Sequence, residues 1–370
     1  MTGVLVDSDP KVRDSIVWVD EVDPAAAVAA AGSKMGRLTE LHRAGVQVPQ
    51  GFAVTVDAYR RHCTESGLDE RIEEVISWLG SEPSDAAVED ASAKIRGLFE
   101  ATPMSEALAA EITEAYEELC LRCVDVNVPT AVRSSATGED ATDASFAGIF
   151  DTYLGVSGPQ RVIDAVRSCW GSLFTGRALA YRLRKGISHH AMPIAVGVIE
   201  LIHARASGVA FSVHPVTGKP DRIVIETSWG WGEAIVQGLV NPDHVEVGKA
   251  DGRLLRYDVA HKTVVSAFDF ADGRVTEIDM PAKLADRQVL DDEQVAAIAA
   301  AVKSIEEHYG YPVDVEWVIS RHRRAGDPVC IVQSRPVTVT ADESEKTPAS
   351  YDPVALAQKF VFSGKPLPGR

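Results

Sequence analysis

Residues Ala131 to Val156 read AVRSSATGEDATDASFAGIFDTYLGV, a composition wrong for a core and right for gripping polyanions. A short apolar run delivers Arg133, after which Ser134, Ser135, Thr137, Gly138 and Gly148 supply hydroxyls and backbone amides with little side-chain bulk. Small residues let a backbone approach a phosphate closely, and successive N–H groups in such turns form anion-binding nests. The same composition also describes a solvated Ser/Thr/Gly loop, so the stretch needs partners elsewhere in the chain.

The whole chain bounds what those partners serve. Its 370 residues exceed what one simple core supports and suggest two or three subdomains. Apolar content of 45% and charged content of 25% are those of a soluble globular protein. A formal charge of −17 argues against nucleic acid or an anionic membrane as partner, so a polyphosphate site has to be a local basic pocket. Five scattered cysteines (63, 120, 123, 169 and 330) favour a reducing cytoplasm. Cys120 and Cys123 form a lone CxxC without the second pair a zinc site needs, and read as an ordinary helical pair. The N-terminus lacks the apolar stretch of a signal peptide, and nothing approaches a membrane span.

Two further stretches carry chemistry. VDVEWVIS (313–320) and VCIVQSRPV (329–337) flank the charged loop RHRRAGDP, and a register symmetric about that loop sets Glu316 opposite Gln333 and Asp314 opposite Arg335. Alternation along each strand places all four on one face. Oxygen ligands of this type suit Mg²⁺, which keeps several waters and is completed by substrate phosphates. A cross-strand salt bridge on a solvated face is the alternative. Lys34, between Gly32 and Gly36 in GSKMG, falls in the first turn of a helix, where backbone donors and the dipole favour an anion. The GxxxxGK[ST] pattern is absent, so this is no P-loop.

Between these stretches the chain alternates in character. A polar arm (1–15) precedes a first strand IVWVDEVD and a helix from about Gly32 to His42, stopped by Gly45. Residues 68–125 read as helices broken near SEPSD and ATP, and QRVIDAVRSCWGSLFTGRALAYRLRKG as one helix or a broken pair. Short β-rich runs begin near Met192. Asp291 and Gln294 form a capping box for a helix that Gly310 ends. The last 30 residues read as a linker-like tail.

Taken in order, Lys34, AVRSSATGEDATDASFAG, CWGSLFTGRALAYR, SGVAFSVHPVTG, WGEAIVQGLVNPD and VDVEW with IVQSRP resemble the nucleotide-binding domain of the phosphoenolpyruvate synthase and pyruvate phosphate dikinase family, a domain that rifampin phosphotransferase shares. The resemblance covers roughly residues 16–340. It implies an α+β chain with an ATP-grasp fold, in which an N-terminal lobe (16–190) and a β-rich C-terminal lobe (191–340) clamp ATP. Residues 341–370 would then lead toward a phosphohistidine domain. By the family pattern Lys34 and Arg133 hold phosphates, and Gly148 and Thr152 belong to the loop that covers them. Glu316 and Gln333 ligate Mg²⁺, Arg335 braces the transferred group, and Asp314 is the second acid. Lys34, Arg133 and Arg335 are the catalytic candidates.

The sequence also departs from that pattern. Many members carry a glutamine near the adenine where this chain has Ile199, or Glu200 with a one-residue shift, and His214 replaces the usual acid before a proline. A lone histidine is more often structural, and His214 is read so, as are His189 and His190. The carrier histidine's glycine-rich turn is missing from the 370 residues. The resemblance therefore extends to the ATP-binding subunits of phenylphosphate synthase and methylbenzyl phosphate synthase, which work with a separate histidine-carrier subunit and phosphorylate phenols. The expectation is an ATP- and Mg²⁺-dependent phosphotransferase subunit of the cytoplasm, with such a partner and with no nucleic acid or membrane partner. A nucleotide-sensing module, or the ATP domain of a truncated phosphoenolpyruvate synthase or antibiotic phosphotransferase, is the alternative.

Overall fold

The computed structural model describes residues 15–80, 83–136, 151–188, 192–232, 235, 238, 240–269 and 274–337. Thr137, Gly138, Gly148, His189, His190 and the tail from 341 lie outside the described residues.

The described chain mixes helices with antiparallel sheets, as expected for an α+β protein. β1 (Ile16–Trp18), β2 (Gly51–Val54), β3 (Thr130–Ala136), β4 (Thr152–Val156) and β5 (Ile194–Glu200) form a five-stranded sheet in the order β1-β2-β5-β3-β4. Every neighbouring pair runs antiparallel. A second antiparallel sheet has the order β13-β12-β6-β7-β8-β9, from β6 (Ala204–Phe211), β7 (Arg222–Trp229), β8 (Asp243–Gly248), β9 (Leu254–Asp258), β12 (Val313–Ser320) and β13 (Cys330–Pro336). The hairpin β10 (Val264–Asp269) and β11 (Arg274–Asp279) stands beside them.

The chain changes sheets between β5 and β6, at residues 201–203, and not at 191, where the composition changes. β5 is apolar enough to resemble the later strands, yet it pairs with β2 and β3 at the centre of the N-terminal sheet. Composition registers burial, and burial is alike in both sheets.

One face of the N-terminal sheet is covered by six helices: α2 (Val56–Glu65), α3 (Leu68–Ser77), α4 (Asp85–Ala101), α5 (Glu106–Arg122), α6 (Pro159–Gly171) and α7 (Gly176–Lys185). Phe52, Val132, Ile194, Val196 and Val198 of the sheet pack there against Phe99, Ile112, Val166 and Trp170. The expected breaks near SEPSD and ATP are present, and the stretch after Pro159 is a broken pair. Thr175 caps α7 by accepting the Ala178 N–H, ending the single-turn 3-10 segment Ser172–Phe174.

A second apolar cluster spans both sheets. It joins Ala53, Ala131 and Ile199 on the opposite face of the N-terminal sheet to α1 (Pro24–Arg43), the C-terminal strands and α9 (Asp292–Tyr309). α9 carries the expected Asp291/Gln294 capping box and ends on Gly310 at φ 73°. Beneath β8, Lys262 and Asp243 form a fully buried ion pair at 2.6 Å, with further hydrogen bonds to Asp243 from Tyr257, Ala260 and Val289. A buried charge persists only when it is paired in this way. The short helix α8 (Ala282–Ala285) connects that region to α9.

α1 positions the site. Sequence reading begins the helix at Gly32, whereas the structure starts it at Pro24, because Asp23 accepts the Ala25 N–H and an alanine-rich turn follows. Gly32 interrupts the helix with φ 75° and ψ 172°. A Cβ there would lie 2.1 Å from the Ser135 carbonyl oxygen of β3, so only glycine combines this backbone with this approach. Arg37 and Glu40, further along α1, reach the C-terminal half: the Arg37 guanidinium donates to the Tyr311 hydroxyl at 2.8 Å, and Glu40 lies 3.5 Å from His308.

Gly32→Ala is therefore expected to destabilise the chain by about 2 kcal/mol or more, from the left-handed backbone and the clash with β3. Chemical denaturation measures it; an unchanged midpoint would show that α1 does not depend on this approach.

Candidate nucleotide site

The hairpin of β12 and β13 has the register its sequence suggests, with Asp314 opposite Arg335 and Glu316 opposite Gln333. Beyond Glu316 the register shifts, and Trp317 faces Ile331. That bulge, which symmetry about the loop does not reveal, leaves Val332 as the extra residue of β13. Its carbonyl accepts the Arg133 Nη1–H at 3.2 Å, while Arg133 Nη2–H donates to Gln333 Oε1. Bulges recur beside functional sites because they re-aim backbone and side chains. The guanidinium of β3 is thus held by two oxygens of β13.

The remaining candidates gather around this contact. Thr152 is the partner of Arg133 across β3 and β4. Lys34, in the first turn after the Gly32 interruption, donates from Nζ to the Ser134 carbonyl at 3.3 Å, and the Met35 N–H donates to Ser135 Oγ at 3.3 Å. Arg335 Nε–H donates to Asp314 Oδ2 at 2.8 Å. Glu316 lies beside Gln333, and with Arg133 and Thr152 it lines a cavity of about 140 Å³ between the sheets. Gly148 lies outside the described residues.

Most of the remaining lining is apolar, including Ala131, Leu154, Ile199, Trp231, Trp317 and Val318, with Glu200 and Ser207 as its polar members. An apolar cavity of roughly this size takes a single planar ring system. Ile199 lies on the cavity side, packed with Ala131, while its neighbour Val198 packs on the helix-covered face. The Glu200 side chain interacts with Cys123, and burial raises its pKa. Both residues left open at this position, Ile199 and Glu200, line the cavity.

Burial also dominates the electrostatics of Asp314. Desolvation pushes its carboxyl up to about 6, against the opposing pull of Arg335. Its Oδ1 and the Nε–H of Arg133 are buried without hydrogen-bond partners among the described residues. An orphaned cationic donor beside a carboxylate and an amide oxygen matches a phosphate chain with a hard cation. Among the described residues no three His, Cys, Asp or Glu side chains converge as a metal centre. Glu316 and Gln333 fit Mg²⁺ in the other mode, in which one or two protein oxygens share the ion with substrate phosphates.

The same sheet face continues into a network that sequence reading missed. Glu226 and Glu316 are both partners of Val209, on β7 and β12 respectively. His244 bonds Glu226 at 2.7 Å and Glu246 at 3.3 Å, and Arg222 donates to Glu246 at 2.6 Å. Burial lowers the pKa of His244, but the two carboxylates outweigh it and the net shift is upward. No spacing signal joins these residues, since they meet only through strand pairing. His214 accepts the N–H groups of Val216 and Thr217 at its Nδ1 and thereby shapes a turn.

Residues 28–354 match the family described as pyruvate phosphate dikinase, AMP/ATP-binding domain. The chain is 41% identical to a probable phosphoenolpyruvate synthase of Methanothermobacter thermautotrophicus, over 86% of this chain and 46% of that protein. It is 38% identical to a probable phosphoenolpyruvate synthase of Methanocaldococcus jannaschii, over 94% of this chain and 28% of the other. With a phosphoenolpyruvate synthase of Aeropyrum pernix the identity is 35%, over 96% and 47% respectively. The chain spans less than half the length of each of these relatives.

The raised pKa of Asp314 fixes a sign. The folded state binds more protons than the unfolded chain between the usual aspartate value and about 6, so this group's contribution to stability falls as pH rises through that window. Asp314→Asn is expected to flatten that fall, as read by denaturation midpoints from pH 4 to pH 7; an unaltered slope would refute the assignment.

Proposed function

The chain belongs to the pyruvate phosphate dikinase AMP/ATP-binding domain family, and from that premise we propose that it clamps Mg-ATP for a dikinase-type phosphotransfer. The fold we assign is ATP-grasp, with the two sheets as the cores of two lobes. The observation that carries the reading is the convergence of Arg133, Gln333, Glu316 and Thr152 beside a mostly apolar cavity between the sheets.

The roles follow from charge and position. Ile199 and the apolar walls take the base, and Lys34, Arg133 and Arg335 neutralise the phosphates. Thr152 contributes from the strand end opposite Arg133, and by the family pattern Gly148 belongs to the loop that covers the phosphates. Glu316 and Gln333 hold Mg²⁺, which supplies charge neutralisation and orientation of the phosphate oxygens. Asp314 keeps Arg335 aimed, since its Oδ2 accepts the Arg335 Nε–H. Phosphoryl transfer asks for positioning and electrostatic stabilisation more than covalent chemistry from the protein. The arrangement of three cations around a phosphate chain answers that demand.

In the proposed reaction ATP, water and a histidine give phosphohistidine carrying the β-phosphoryl group, AMP and inorganic phosphate. The histidine belongs to a partner subunit that also binds the final acceptor, here a small phenol. A reducing cytoplasm as the site of the reaction is part of the same proposal, and the free cysteines support it. The relatives' names and the share of them that this chain covers favour a second reading, in which the same clamp serves a phosphoenolpyruvate synthase. A pure nucleotide sensor has no use for the paired Asp314–Arg335 and Glu316–Gln333 oxygens and cations.

Mixing the chain with its histidine carrier and ATP labelled at the β or γ position is expected to yield AMP, labelled phosphohistidine from the β position and labelled phosphate from the γ position. ADP as the only nucleotide product would refute the dikinase scheme. Glu316→Gln should weaken Mg²⁺-dependent ATP binding at least about tenfold, the scale of lost metal-site contacts.

A further inference from the structure

Asp151 stands immediately before Thr152, where the chain enters β4. Its carboxylate is nearly buried, with 8% of the side chain exposed, and it accepts Arg96 Nη2–H of α4 at 3.0 Å and the Tyr153 hydroxyl at 3.4 Å. Its backbone carbonyl accepts the Ser134 hydroxyl at 3.2 Å and the Ser134 N–H at 3.5 Å. Ser134 in turn offers its own carbonyl to Lys34 Nζ. One connected set of hydrogen bonds therefore runs from α4 through Asp151 and Ser134 to Lys34, and passes beside the Arg133–Thr152 pair.

The β-ladder does not secure this arrangement alone. β3 and β4 carry a register shift between Thr130 and Ala131, at the end remote from the site. A one-residue slip in an antiparallel pair sends every side chain to the opposite face, which would take Thr152 away from Arg133. Removing one partner of a largely buried ion pair leaves an uncompensated charge, which costs far more than forming the pair gains. Arg96 comes from α4 and is not among the residues that line the cavity.

We infer that the Arg96–Asp151 ion pair is a positioning device that fixes the site end of β4 in register, holding Thr152 opposite Arg133 and the Ser134 carbonyl under Lys34. The inference rests on the Mg-ATP reading of the cleft for its consequence, and on the strand geometry for its cause. Neither residue is a catalytic residue; both act through the groups they hold.

The test compares wild type, Arg96→Ala and Arg96→Lys in the full chain by Mg-ATP titration and by hydrogen exchange over residues 152–156. Arg96→Ala is expected to weaken Mg-ATP binding about tenfold, as loss of a supporting contact does, and to speed exchange of those amides. Arg96→Lys should recover most of both, because it restores the charge. Unchanged exchange in Arg96→Ala, or binding within about twofold of wild type, overturns the inference, as does a lysine variant no better than alanine. A wild-type chain that binds no Mg-ATP overturns the nucleotide reading and this consequence with it, whereas wild-type binding with an indifferent Arg96→Ala overturns the inference alone.

Discussion

Arg133 is a buried cation that belongs to one sheet and is held by the other. Its guanidinium leaves β3 and finds the carbonyl of Val332 and the amide oxygen of Gln333 on β13. A charge taken out of water must be met by oriented oxygens, so the seam between the sheets has to be polar where Arg133 sits. Beside it the seam is mostly apolar, with Ala131, Ile199, Trp317 and Val318 in one cluster. A cavity with charged groups beside a mostly apolar lining follows from that division.

The same constraint explains two local irregularities. The bulge after Glu316 would be a defect in an isolated hairpin, but it exposes the one backbone carbonyl that Arg133 requires. The interruption of α1 at Gly32 likewise sacrifices helical hydrogen bonding, and it brings Lys34 to the Ser134 carbonyl next to Arg133. Both departures from ideal geometry fall where the chain handles charge, whereas the register shifts at Thr130/Ala131 and Ile319/Ser320 lie away from Arg133.

Sequence patterning reached the hairpin register because side-chain alternation and a symmetric loop leave few choices, and Asp314, Glu316, Gln333 and Arg335 are where it put them. It could not reach the bulge, since nothing in VDVEWVIS or VCIVQSRPV marks an extra residue. It misplaced the change of sheet because β5 is as apolar as the strands after it. It began α1 eight residues late because glycines and a lysine drew attention from the alanine turn that Asp23 caps. The Arg96–Asp151 pair and the Glu226–His244–Glu246 network lay beyond it altogether, for each joins residues that only tertiary pairing brings together.

The central claim is that one nucleotide bridges two sheets, and hydrogen exchange of the full chain with and without Mg-ATP tests it most directly. The account predicts simultaneous protection of residues 32–36 in α1, residues 130–136 in β3 and residues 330–336 in β13, all dependent on Mg²⁺. Protection confined to one sheet, or the same pattern with ATP in the absence of any divalent cation, would contradict it.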